Sequence, residues 1–365
     1  MFRVVALKGR GMAASNESSK SIQRSGHLVR IARVIEETAD AKSFVFDLPA
    51  EIAAKFSYRA GQFVSLNLTY NGESLRRCYS LASCPVTERA PKITVKRVAD
   101  GRASNWLNDN LREGAWVEVL PPEGRFVLRE SSARLVFFAG GSGITPILSI
   151  IKNALACTER KARLVYANRN RQSVIFRREL DALCEQHQGR LEVVYRYDED
   201  DGFLRASDIT RYRCAEAAEY YLCGPGPFMA AIEAGLREAQ VDESAIFIER
   251  FEQAAKSDSR ADELDAQLPD VGGQTIPITY KGAHVDVPRL AGKSILEMAI
   301  AAGIDAPYSC EEGFCGCCIA RLVRGEVQMS ADDALTSDDK RRGLILTCQA
   351  RPTSLEVEVD YDSAL

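Results

Sequence analysis

Four cysteines fall within nine positions of this 365-residue chain, in the run Ser309-Cys310-Glu311-Glu312-Gly313-Phe314-Cys315-Gly316-Cys317-Cys318. Cys310, Cys315 and Cys318 have the spacing C-x4-C-x2-C, and Cys348 follows 30 residues later inside LILTCQARP. That is the plant-type spacing for a 2Fe–2S cluster. Soft thiolates must converge from one loop onto one iron and half of the next, and glycines such as Gly313 and Gly316 let backbone N–H groups approach the cluster sulfurs. A zinc site would more usually pair C-x2-C on both arms, and the second arm here offers one cysteine. Cys317 lies between two of the expected ligands; the x2 spacing favours Cys318 over it.

A cluster loop of this kind accounts for only the C-terminal part, and 365 residues exceed what one core organises. Residues 26–130 read as short strands separated by turns (LVRIARVIEE, KSFVFDLP, QFVSLNLTY, RCYSLAS, KITVKRV, WVEVLPP), the pattern of an antiparallel β-barrel. Residues 131–253 alternate strand and helix, which predicts an α/β domain on a parallel sheet. Residues 254–274 are polar, acidic and poor in aromatics, and read as a linker. Residues 275–365 hold a hairpin (TIPITYKGAHVDVPR), a helix stopped near Gly303, the cysteine loop and the strands IARLVRG and LEVEVDY, a small β-grasp-like α+β unit. The fold expected is therefore multidomain, α+β and α/β.

Residues 1–25 carry several basic residues and serines but no apolar block of a secretory signal, and read as a disordered tail. No run of 18 apolar residues suggests a membrane span. A net charge of −4 lacks the footprint of a nucleic-acid binder. The eleven cysteines are spread unevenly, with four within nine positions, which reads as metal ligation in a reducing cytoplasm.

Two motif groups lie before the linker. Arg77-Cys78-Tyr79-Ser80 ends one barrel strand and Lys96 ends another; Gly101-Arg102-Ala103-Ser104 then opens a short helix toward Trp106. A guanidinium and a helix N-terminus together can hold a pyrophosphate. Tyr79 can lie against a flavin ring and the Ser80 hydroxyl can reach its reactive nitrogen. Next, Gly140-Gly141-Ser142-Gly143-Ile144-Thr145-Pro146 follows the apolar strand LVFF and enters a helix expected from Thr145, with Thr145 as a possible cap. Cys223-Gly224-Pro225 ends the strand YYLC, and Glu249-Arg250-Phe251 ends the α/β part.

R-x-Y-S, then G-x-x-S, a glycine-rich loop and C-G-P, in that order, resemble the ferredoxin–NADP reductase superfamily over roughly residues 27–251. The resemblance implies a flavin barrel followed by a nicotinamide-binding domain. It implies catalytic roles for Ser80, Cys223 beside the hydride-donating carbon, and Glu249. It also implies cofactor contacts from Arg77, Tyr79, Lys96, Gly101, Ala103, Ser104, Gly140, Gly141, Gly143, Thr145, Gly224, Pro225 and Phe251, the last replacing the tyrosine of plant enzymes. The loop GRASNWLND is similar to that of FAD-binding members, so FAD rather than FMN is expected. Arg169 and Arg171 leave NADH and NADPH open, with NADH favoured.

The full order of domains resembles reductase components of multicomponent oxygenases, those of the 3-ketosteroid 9α-hydroxylase type first and the phenylacetyl-CoA epoxidase type second. Hydride from NAD(P)H to FAD and single electrons through the cluster to a terminal oxygenase is the activity this implies. A stand-alone NAD(P)H oxidase or quinone reductase, or a bare electron carrier, is the competing reading. His27, His187 and His284 show no ligand pattern and read as surface residues.

Overall fold

The computed structural model describes residues 26–70, 72–251, 274–332 and 334–364. The expected tail and nearly all of the expected linker lie outside the described residues. Those described divide into two compact units, the first ending at residue 251 and the second starting at residue 274.

In the first unit, β1 (His27–Thr38), β2 (Ala41–Asp47), β3 (Phe63–Tyr70), β4 (Glu73–Ser80), β5 (Lys92–Lys96) and β6 (Trp116–Val119) form an antiparallel sheet. Its order is β4-β3-β6-β1-β2-β5. Alternating residues such as Val64 and Leu66 bury one face together with Phe44, Ile93 and Leu107. An antiparallel β-barrel is the sequence expectation; the structure gives the antiparallel sheet, with a strand ladder that is not closed. Among the described residues its two edges meet just past the end of β4, where Leu81 bridges Ile93 and the Ala82 N–H donates to the Lys92 carbonyl at 2.8 Å.

The same unit continues into β7 (Arg134–Gly140), β8 (Ala162–Asn168), β9 (Leu191–Tyr197), β10 (Ala218–Cys223) and β11 (Ile246–Glu249). All are parallel, in the order β11-β10-β7-β8-β9. β7, reading RLVFFAG, is central and buried on both faces, which is why it is apolar without alternation. Helices Ile144–Cys157 and Arg177–Gln186 join β7 to β8 and β8 to β9, and Gly226–Glu238 joins β10 to β11. The order changes direction at β7, so the C-terminal ends of β7 and β10 flank the crevice where open α/β sheets bind ligands.

The second unit has a mixed sheet: β12 (Thr275–Tyr280), β13 (Ala283–Pro288), β14 (Ile319–Arg324), β16 (Leu344–Leu346) and β18 (Glu358–Asp360), ordered β13-β12-β18-β14-β16. A two-stranded ribbon of β15 (Val327–Met329) and β17 (Ala350–Pro352) accompanies it. β12 and β13 form the expected hairpin, turning at Lys281-Gly282. The helix Ile295–Ala301 starts with a capping box, Ser294 accepting from the Glu297 N–H at 3.2 Å and Glu297 from the Ser294 N–H at 2.8 Å. Its Ile295, Leu296, Met298 and Ala299 share a core with Ile276, Ile278, Val359 and Cys318.

Candidate functional site

Ser80, the last residue of β4, is buried, and its hydroxyl donates to Glu249 Oε2 at 3.3 Å. Glu249 ends β11 directly beside Cys223, the last residue of β10. The parallel sheet thus brings together the three residues expected to be catalytic, although 169 positions separate Ser80 from Glu249. Burial raises the Glu249 carboxyl to about 8, with the Ser80 hydrogen bond opposing the rise. Cys223 is fully buried; burial, then the neighbouring Glu249, pushes its thiol well above the ordinary range, so it stays a neutral thiol. Burial likewise raises the half-buried Tyr79 phenol and keeps it protonated, Arg77 opposing.

Two glycines bring these elements close. A Cβ on Gly143 would lie 2.1 Å from the carbonyl oxygen of Cys223, so only glycine lets the loop after β7 reach the end of β10. A Cβ on Gly101 would meet Ser104 Oγ at 2.5 Å, and that hydroxyl accepts the Val98 N–H at 3.2 Å to shape the turn before the helix Arg102–Asn110. Ala103 and Ser104 are buried in its first turn, while Arg77 is exposed.

Gly141–Gly143 forms a 3-10 turn and the helix begins at Ile144 rather than at Thr145. Thr145 is no cap: inside the first turn, its hydroxyl donates to the Ser142 carbonyl at 3.0 Å, satisfying an acceptor instead of a free N–H. Gly143 holds the cap position without a side-chain bond, which leaves the helix N–H groups turned toward the loop. Lys96 reaches the same loop from β5, its Nζ 3.5 Å from where a Cβ on Gly141 would stand. Burial lowers the Lys96 ammonium, and Asp40, at 3.9 Å, opposes this. Asp40 also pairs with Arg169 at 2.9 Å, and Arg171 pairs with Asp200 at 3.2 Å. Gly224 and Gly140 both pack against Phe228, Pro225 precedes the helix Gly226–Glu238, and Phe251 packs on the core that contains Cys223.

The second unit brings the cysteines together as two pairs. The Cys310 and Cys315 thiols hydrogen-bond to each other, as do those of Cys318 and Cys348, and Cys348 also lies near Cys310. Among the described residues no group of three or more His, Cys, Asp or Glu side chains is set to hold a metal ion. Two thiol pairs are a different donor set, of the kind a binuclear cluster with one pair per iron would take. Glu312 N–H donates to Cys310 Sγ at 3.3 Å and Cys317 N–H to Cys315 Sγ at 3.5 Å, so backbone donors already face sulfur. Glu311, Gly313 and Gly316 take positive φ to turn those N–H groups inward. Gln349 Nε2 approaches Cys348 Sγ at 3.6 Å. Of the histidines, His284 is exposed and bonded to Thr279 at 2.8 Å, while His27 and His187 are half-buried, His27 because its ring packs edge-on against Phe56.

The donor sets suit the three groups. The helix start after Gly101, without a side-chain cap, offers N–H groups to a pyrophosphate, and the glycine loop adds the Lys96 cation to its own. Paired thiols with inward N–H groups suit 2Fe–2S. Asp40 and a buried charge chain around Lys152 were not foreseen from sequence. The one signal for the latter was a lysine inside the apolar helix ILSIIKNAL.

Comparison with known proteins follows the same division. Residues 28–128 match the oxidoreductase FAD-binding domain, 137–234 the oxidoreductase NAD-binding domain and 278–353 the 2Fe-2S iron-sulfur cluster binding domain. The ferredoxin reductase component of 3-ketosteroid-9-alpha-monooxygenase from Rhodococcus rhodochrous is 39% identical over 339 residues, 92% of this chain and 96% of that protein. A component of 1,2-phenylacetyl-CoA epoxidase from Escherichia coli K12 is 30% identical, covering 92% of this chain and 98% of that protein. Among solved structures, phthalate dioxygenase reductase, described as a modular structure for electron transfer from pyridine nucleotides to 2Fe-2S, aligns with a TM-score of 0.57. It is 27% identical and covers 92% of this chain and 98% of that one.

Proposed function

We propose a function from the premise that this chain belongs to the family of iron–sulfur flavoprotein reductases that contains the ferredoxin reductase component of 3-ketosteroid-9-alpha-monooxygenase. It is an NAD(P)H-dependent oxidoreductase, and bound FAD and the 2Fe–2S cluster supply the conversion of two-electron hydride chemistry into single-electron transfer. The acceptor we assign is a terminal oxygenase, of the 3-ketosteroid 9α-hydroxylase type suggested by the relatives' names. The domains are read as a flavin barrel over 26–130, a nicotinamide domain over 131–253, a linker over 254–274 and a β-grasp ferredoxin domain over 275–365. The described residues hold no disulfide, which fits a reducing cytoplasm, and among them no helix is long and apolar enough to cross a membrane.

The observation that carries the site assignment is the meeting of Ser80, Cys223 and Glu249 at one sheet edge beside the Gly140–Gly143 loop. Ser80 and Tyr79 face the flavin ring; the neutral Cys223 thiol fills the space beside the nicotinamide without competing as a nucleophile. Glu249, protonated at neutral pH, holds a proton against Ser80 and adds no negative charge where hydride must arrive. Arg77 and the helix start at Gly101, Ala103 and Ser104 bind the FAD pyrophosphate. Lys96, Gly140, Gly141, Gly143 and Thr145 hold that of the nicotinamide nucleotide, with Gly224, Pro225 and Phe251 bounding it. Cys310 and Cys315 take one iron, Cys318 and Cys348 the other. NADH is favoured over NADPH, since Asp40 and Asp200 already occupy Arg169 and Arg171 and would repel a 2′-phosphate.

The test is an absorption spectrum of anaerobic protein before and after NADH, then NADPH, with released flavin identified by chromatography. FAD bands over a broad cluster shoulder, bleached by NADH, support the assignment. A protein with no cluster shoulder after reconstitution, or bleached by neither nucleotide, overturns it. Oxygen or quinone consumption undiminished without any oxygenase would favour the oxidase reading.

A further inference from the structure

The first unit contains a buried charge chain that none of the steps above uses. Lys152 lies on the helix Ile144–Cys157, whose first turn follows the glycine loop, and is only 6% exposed. Its Nζ donates to Glu88 Oε2 at 2.8 Å and to the Ala82 carbonyl at 3.2 Å, and it also pairs with Glu179. Glu179, on the helix Arg177–Gln186, pairs in turn with Lys92 of β5 at 3.2 Å. Lys92 is buried too and stands over the Phe176 ring. Glu37, bonded to Ser43 at 2.6 Å, lies beside Lys92, Glu179 and Lys152. One turn before Lys152, Ser149 donates to the Ser83 carbonyl at 2.5 Å and accepts the Gly61 N–H at 3.3 Å.

Glu88, Lys152, Glu179 and Lys92 therefore alternate in sign, and Glu88 and Lys92 from the antiparallel part flank Lys152 and Glu179 on two helices of the parallel-sheet part. Burying two ammonium groups against two half-buried carboxylates is costly, and an apolar contact would serve stability as well or better. What apolar contact lacks is direction. Ala82 and Ser83, whose carbonyls the helix grips, follow Tyr79-Ser80 after the single residue Leu81, and the gripping helix directly follows Gly140–Gly143. One rigid run of hydrogen bonds thus joins the backbone behind the flavin-facing residues to the backbone behind the nucleotide loop.

We propose that this chain is a positioning device, with Lys152 as its central positioning residue, that fixes the nucleotide loop relative to Tyr79 and Ser80 and so sets the alignment for hydride transfer. It rests on the assignment of those residues to flavin and nicotinamide. A misplacement of about 1 Å can cost on the order of a hundredfold in rate, which gives such a device its worth.

Lys152→Met and the milder Glu88→Gln test it in the holoenzyme. Expected for Lys152→Met is a fall of roughly tenfold or more in flavin reduction at saturating NADH. FAD content, the NADH dissociation constant and flavin reduction by dithionite, which needs no alignment, should stay near wild type. Hydrogen exchange of the apoprotein should quicken at residues 81–83 and 144–152. Glu88→Gln should show the same pattern more weakly, and serves if Lys152→Met does not fold. NADH reduction at the wild-type rate in both variants, or loss only in proportion to lost FAD and dithionite reactivity, overturns the proposal. If the unsubstituted protein is reduced by neither NADH nor NADPH, the functional assignment itself fails, a result separate from either of these.

Discussion

Glu249→Gln should remove a pH dependence that the wild-type protein carries in its stability. The Glu249 carboxyl is raised from its ordinary 4.5 to about 8 by burial. The folded state therefore keeps a proton that the unfolded chain releases, and between those values folded protein binds more protons than unfolded. The sign follows: this contribution is fully present below pH 4.5, declines as pH rises, and is lost by about pH 8. At about 1.4 kcal/mol per pH unit the full span is worth about 5 kcal/mol. Because Glu249 is half-buried by surface and water screens part of the effect, about 2 kcal/mol is the expected share. Glutamine imitates the protonated carboxyl and does not titrate. In urea unfolding of the apoprotein at pH 5 and pH 8.5, wild type should lose about 2 kcal/mol more than Glu249→Gln across that interval. Parallel pH profiles for the two proteins would show that Glu249 ionises normally, and the neutral-carboxyl role given to it beside Ser80 would be withdrawn.

Cys318→Ser should abolish the cluster absorption after reconstitution while Cys317→Ser keeps it; the reverse result would move the ligand. Gly143→Ala puts a Cβ 2.1 Å from the Cys223 carbonyl oxygen, so the loop must shift, and NADH affinity measured by titration should fall roughly tenfold. Tyr361→Phe removes a hydroxyl that donates to Thr347 Oγ1 at 2.9 Å, where Thr347 in turn donates to the Cys318 carbonyl at 2.9 Å. The cluster should still form, but its paramagnetic resonance spectrum should change and its loss to a chelator should quicken roughly tenfold; an unchanged spectrum and lifetime would deny the hydroxyl any hold on the ligand loop.

Much of this protein is local, and local features are written in sequence. The cluster spacing, the R-x-Y-S strand end, the glycine loop after an apolar strand and the capping box at Ser294 each depend on residues within one turn or loop, so short-range sterics and hydrogen bonding decide them. The central strand β7 was legible because burial on both faces demands an unbroken apolar run. Where a helix begins is less local: Thr145 looks like a cap, but the 3-10 turn of Gly141–Gly143 starts the helix one residue earlier and turns its hydroxyl to a carbonyl. The open edge of the antiparallel sheet depends on how far β4 and β5 curl toward each other, which no stretch of either encodes. What only the tertiary structure decided is which distant groups share an environment. Glu249 is an ordinary acid in the sequence; it is raised to about 8 because the folded sheet places β11 beside β10 and buries its carboxyl, against the opposing hydrogen bond from Ser80. Lys152 is likewise a lone charge in an apolar helix until Glu88 and Glu179, from two other parts of the chain, close around it. Sequence supplies the chemistry of each group, but desolvation and charge pairing are set by neighbours in space, and those exist only once the chain has folded.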